Sequence, residues 1–160
     1  VTSPPYFAIM HGRQTFTRGI ERPYTTQKAD VGNIFDYHEF LGNLKIIYST
    51  VFNVLTEGGW FVPVVGDVNI LRTNFPDDAW SKISRGRGNH VFFPVHVDVV
   101  NMLRDIGFSI HGIVDWDRRQ DYNYLRSIGW SKDASKRWFM TIRVNENIIF
   151  AHKPQTKHIS

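Results

Sequence analysis

The clearest periodicity begins after residue 36, where Phe40, Leu44, Ile47, Val51 and Leu55 recur at steps of three and four, with Leu41, Tyr48 and Phe52 widening the stripe. That spacing gives a helix one apolar face. Asp36 followed by Glu39 supplies its start, since the first carboxylate can cap free amides and the second can reach back. Gly58 and Gly59 supply its end, because glycine accepts the left-handed conformation of a C-terminal cap. The run WFVPVVGDV then predicts a valine-rich strand covered on both faces, with Pro63 at an edge or a bulge. Val95, Val99, Leu103 and Ile106 predict a second helix, with Pro94 in its first turn and Gly107 closing it. FSIHGIVDW predicts the next strand. Trp138, Met140, Ile142 and Val144 alternate with polar neighbours as another, and ENIIFAHKP predicts the last.

Three polar stretches, about 8–34, 69–90 and 117–136, interrupt this pattern and read as insertions in a single domain spanning 1–160. Strand, helix, strand, helix, strand and further strands imply an α/β sheet, mostly parallel, with an antiparallel strand at the C-terminal end. The opening VTSPPYF marks where a strand stops, because neither Pro4 nor Pro5 can donate a backbone hydrogen bond. Stopping there leaves the Ser3 hydroxyl, the carbonyls of Ser3 and Pro4 and the Tyr6 ring on a stiff piece of backbone. This is a rigid set of acceptors beside a flat stacking surface. A motif so close to a first residue that is Val leads us to expect a fragment or a processed piece.

Length and a hydrophobic content of 42% are sufficient for one domain with a core. Without cysteine there is no disulfide framework, thiolate metal site or thiol nucleophile, which is compatible with the cytoplasm. No apolar run approaches the roughly 20 residues of a membrane helix and no signal peptide is evident, so the chain reads as soluble. A net charge of +4 and 14% aromatic residues suit a polyanion with stackable bases. Arg18, Arg22, Arg85, Arg87, Arg118 and Arg119 are the candidate phosphate contacts, Arg85 and Arg87 flanking Gly86 in a flexible basic finger, SRGRGNH. The histidines show no metal-ligand spacing: His96 and His111 fall on different elements, and His152 and His158 are expected in solvent. No metal is expected, and no Ser-His-Asp or paired-carboxylate arrangement follows from spacing. Asp67 ends a strand on the edge where α/β folds bind ligands, and there it caps a turn or touches substrate or loop backbone.

TSPPYF at 2–7 resembles the catalytic signature of the amino-group DNA methyltransferases, which methylate cytosine at N4 or adenine at N6. VLTEGGWFVPVVGD resembles that family's helix end, Gly-Gly turn and apolar strand, LRDIGFSIHGIVDW its Gly-Phe, strand and Trp segment, and ENIIFAHKP its closing strand. The likeness spans almost the whole chain apart from the insertions. It implies a Rossmann-like methyltransferase sheet, S-adenosylmethionine as methyl donor and double-stranded DNA as substrate, in the cytoplasm of a prokaryotic or phage-like restriction-modification system. The family's second signature, an aromatic residue and a glycine-rich turn forming the donor pocket, has no counterpart here. The chain is therefore expected to be the catalytic half, inactive alone, with the cofactor-binding half elsewhere in the same chain or in another.

The resemblance further implies that the Ser3 side chain and the Pro4 carbonyl accept both N–H hydrogens of the target amine, with Pro4 and Pro5 fixing the geometry. Tyr6 would stack on the flipped base, worth about 1–3 kcal/mol, and Phe7 would help line that pocket. Asp67 and Trp116, the latter just past the third strand, would border the base or pack structurally. Serine at position 3 favours cytosine-N4 over adenine-N6. Two other readings stay open: a non-catalytic DNA-binding or assembly module on the same scaffold, and methylation of RNA or a protein amide. Oligomeric state is open too, a homo-oligomer included.

Overall fold

The computed structural model describes residues 1–5, 7–8, 25, 27–117 and 145–155. Within them the order is α1 (Tyr37–Val54), β1 (Trp60–Phe61), β2 (Val64–Val65), β3 (Val68–Leu71), α2 (Asp77–Ser84), β4 (His90–Phe93), α3 (Val95–Ile106), β5 (Ser109–Asp117) and β6 (Asn145–His152).

α1 starts where the carboxylate predicts: Asp36 Oδ1 accepts from the amides of His38 at 2.9 Å and Glu39 at 3.1 Å. Its buried face is Tyr37, Phe40, Leu44 and Tyr48. The expected stripe included Ile47, which is 44% exposed, so the face is rotated toward the two tyrosines. The end also differs from expectation. Leu55 caps the helix in extended conformation, and only Gly58 of the glycine pair is left-handed, at φ +74°. Gly59 is needed for space, since a Cβ there would lie 2.7 Å from the Thr56 carbonyl. The last helical carbonyls are served from afar: Lys153 Nζ donates to those of Phe52 and Leu55 at 2.7 Å each. α3 follows its prediction, closing on Gly107 at φ +116°, whose amide bonds the carbonyls of Leu103 and Arg104.

β6 is the middle of the main sheet, antiparallel to β1 and β2 on one side and to β5 on the other. Phe61 faces Ala151 and Val64 faces Ile148, so the register runs unbroken past Pro63. The Ile149 amide donates to the Pro63 carbonyl at 3.0 Å, and the proline nitrogen returns nothing. Pro63 is thus neither at an edge nor in a bulge; one lost rung divides what is otherwise a single strand. On its other side Thr2 forms a parallel bridge, with Thr2 N–H to the Val62 carbonyl at 3.1 Å and Val64 N–H to the Thr2 carbonyl at 2.8 Å.

The mostly parallel sheet expected from the element order is not what the ladders show. Every ladder among the described residues is antiparallel, and the Thr2–Pro63 bridge is the one parallel pairing among them. WFVPVVGDV is likewise not one strand: the chain leaves the main sheet at Gly66, and Val68 opens β3, which pairs with β4 in a separate two-stranded sheet. The polar stretch after Asn69 is therefore not a plain loop. It holds most of β3, then α2, whose Trp80 and Ile83 reach the common core. Most of the first insertion, most of the third and the strand expected at 137–144 lie outside the described residues. Among the described residues no helix is long and apolar enough to cross a membrane.

Candidate active site

Two strands antiparallel to the same neighbour run in the same direction. β1–β2 and β5 therefore point one way across β6, and residues 1–3 join them through the parallel bridge. Ser3, Gly66–Asp67 and Trp116–Asp117 consequently lie at one edge of the sheet, at the carboxyl ends of their strands. With strands about 4.8 Å apart, the segment carrying Ser3 is next to the one that runs into Asp67. Trp116 is three spacings away, about 14 Å, within β5 rather than past it, and 48% exposed. Ser3 and Asp67 thus lie on neighbouring segments, and Trp116 lies beyond β6 from both.

Ser3 is exposed and the two prolines are half-buried, Pro5 lying against Gly32, where a Cβ would come within 3.2 Å of the Pro5 ring. Tyr6 lies outside the described residues. Phe7 was expected to line a base pocket, and the structure places it in the core instead. It is fully buried, its ring 5.3 Å from Tyr37, 5.3 Å from Phe40 and 5.0 Å from Phe93. Its backbone is left-handed, at φ +49°, a conformation that costs about 1–2 kcal/mol for a residue with a Cβ. Phe7 anchors the corner from behind.

Asp67 has a definite partner. Its carboxylate, with no side-chain exposure, accepts from the His96 amide at 3.0 Å and contacts His96 Nδ1 at 2.7 Å through both oxygens. Pro94 offers no side-chain cap to α3, so a strand-end aspartate supplies it from across the chain. Beside this pair the Tyr37 hydroxyl donates to Asp98 Oδ2 at 2.6 Å. Burial above all, then the bond to Asp98 and the charges of Asp98 and Asp67, push the Tyr37 hydroxyl far above the usual phenol range. Spacing missed both pairs, whose members lie 29 and 61 residues apart.

The basic turn after α2 has Arg85 at φ +46°, then Gly86 and Gly88 at φ +82° and +78°. Both arginines hold parts of this chain. Arg85 Nε donates to Asp36 Oδ2 at 2.9 Å, and Arg87 lies over the Phe93 ring at 5.3 Å while its Nε bonds the Ser84 carbonyl. Partial desolvation alone would raise the Asp36 pKa. The Glu39 amide, Arg85 and the His38 amide outweigh it and hold the carboxyl below its usual range. An open cleft of about 610 Å³ adjoins the turn, lined by Arg72, Trp80, Ser84, Arg85 and Asn89 among others. Arg18, Arg22, Arg118 and Arg119 lie outside the described residues.

At the opposite edge of the sheet Trp60, His111 and His152 pack edge-on or tilted with ring centroids 4.8–5.2 Å apart, so His152 is part of an aromatic cluster and half-buried. Among the described residues no three His, Asp or Glu side chains gather as a metal site.

No family model and no curated protein matches the chain by sequence. Solved structures do match. The candidate DNA modification methylase of Thermus thermophilus, complexed with S-adenosyl-L-methionine, is 28% identical with a TM-score of 0.53, over 84% of this chain and 44% of the methylase. A second crystal structure of the same methylase matches at 27% identity and 0.51, over 86% of this chain and 45% of the methylase. Its selenomethionine derivative matches at 25% and 0.51, over 75% and 39%. The chain spans about two fifths of the methylase's length and, over most of its own, shares with it a methyltransferase-like α/β fold.

Proposed function

We propose that this chain is the catalytic part of an S-adenosylmethionine-dependent DNA methyltransferase acting on an exocyclic amino group, cytosine-N4 in preference to adenine-N6. The observation that carries this reading is the placement of Ser3-Pro4-Pro5 at a carboxyl edge of the sheet, beside the strand that leads into Asp67, in a chain whose fold matches a DNA modification methylase. S-adenosylmethionine supplies an electrophilic methyl group. The described glycine turns are otherwise used, as a helix exit at 58–59 and a basic turn at 86–88, so no pocket for the donor is placed on these residues.

The work of this chain is to prepare the nucleophile. A nucleobase amine is poor because its lone pair is delocalised into the ring. The Ser3 hydroxyl oxygen and the Pro4 carbonyl, accepting its two N–H hydrogens, favour a pyramidal nitrogen with the lone pair aimed outward. Duplex DNA, its base flipped onto Tyr6, is the substrate, and Arg72 and Arg85 at the open cleft exchange their ion pairs with Asp77 and Asp36 for the phosphates. In the complete enzyme Ser3→Ala abolishes methyl transfer to DNA and leaves the circular dichroism spectrum unchanged. Wild-type turnover by that variant refutes the role. Parallel assays on RNA and protein distinguish the substrate class.

A further inference from the structure

We infer that His96, oriented by Asp67, accepts the proton that the methylated amine must shed, an inference that rests on the function proposed above. Transfer forms the N–C bond as the donor's C–S bond breaks, leaving a thioether and a cationic nitrogen that still carries both hydrogens. One N–H pair must return to nitrogen while its proton goes to a base. The Ser3 hydroxyl and the Pro4 carbonyl, which engage those hydrogens as hydrogen-bond acceptors, are too weakly basic to keep the proton.

The dyad has the geometry for this task. The buried Asp67 carboxylate engages Nδ1, which fixes the neutral imidazole as the Nδ1–H tautomer and leaves the lone pair on Nε2. His96 keeps 22% of its side chain exposed, and Nε2 has no hydrogen-bond partner among the described residues. Once Nε2 is protonated, Asp67 stabilises the imidazolium. Position agrees. The Val64–Thr2 hydrogen bond sets Ser3 beside β2, so the residues after Ser3 run alongside Gly66 and Asp67, and the Phe7 ring rests on Phe93, three residues before His96. Tyr37 of α1 is the titratable group within electrostatic reach of the Asp67 carboxylate, and it is itself acted on by Asp98 of α3, which accepts its hydroxyl, and by Arg87 of the basic turn.

His96→Asn is the test, because its amide nitrogen keeps the bond to Asp67 and lacks an outer base. In single-turnover methyl transfer to duplex DNA by the complete enzyme, the wild-type rate is expected to be lower in acid than at neutral pH. The variant is expected to be about 100-fold slower at neutral pH and flat with pH, with DNA and donor dissociation constants unchanged. A variant with the wild-type rate and profile overturns the inference, and so does a flat profile in the wild type. If His96→Asn fails to fold, His96→Gln is measured in the same way, and nitrogen-15 NMR of this chain reads the tautomer directly. Nε2–H in the neutral ring overturns the inference whatever the enzyme does. A wild-type enzyme that labels no DNA sinks the proposed function itself, an outcome separate from loss of the pH profile.

Discussion

Replacing Phe7 with alanine separates the two things that residue contributes, its ring and its backbone. The ring is fully buried against Tyr37, Phe40 and Phe93. Removing it leaves a cavity among three aromatic residues and costs about 3–5 kcal/mol. The backbone sits at φ +49°, so alanine keeps the left-handed strain while glycine releases about 1 kcal/mol of it. Urea unfolding followed by circular dichroism reads both effects. With a slope of about 2 kcal/mol per molar, Phe7→Ala lowers the midpoint by about 2 M, and Phe7→Gly lowers it by no more than that. A midpoint shift below about 0.5 M for Phe7→Ala would refute the anchoring role. A glycine variant clearly weaker than the alanine variant would refute the strain argument.

Asp36→Ala removes the cap of α1 and the partner of Arg85, and lowers stability by about 1 kcal/mol in the same assay. Because the folded-state pKa of Asp36 lies below its unfolded value, its contribution is complete above the unfolded value and lost as pH falls through the folded one. The gap between wild type and variant should therefore close on acidification; a gap that widens contradicts the assignment. Lys153→Met removes the ammonium that lies 4.8 Å from the Phe52 ring centroid, and with it two charge-assisted bonds to helix carbonyls, costing about 1–3 kcal/mol by thermal or urea unfolding. An unchanged midpoint would mean that water serves those carbonyls equally well.

Local features were legible in the sequence wherever one residue suffices to impose them. Asp36 caps its helix and Gly107 closes α3 because a nearby carboxylate and a residue without a Cβ act within a few positions of themselves. The strands of the apolar run were legible as strands but not in their partners. Nothing local says that the chain leaves the main sheet before Val68 to pair that residue with Phe93 in a second sheet, or that Pro63 can lose a rung between two neighbours. Phe7 was read as a pocket residue because its sequence neighbour Tyr6 belongs to the motif. Its burial is decided by α1 and β4, both distant in the chain. The partners of His96 and Lys153 were illegible for the same reason, since each gains its meaning from a carboxylate or carbonyls brought up by the fold.

The most direct test of the central claim is to incubate the complete enzyme with duplex DNA and methyl-labelled S-adenosylmethionine, digest the DNA and identify the labelled nucleoside. The account predicts label in N4-methylcytosine, lost with Ser3→Ala. Label that survives Ser3→Ala, or that appears on a ring carbon and not on an amino nitrogen, would contradict it.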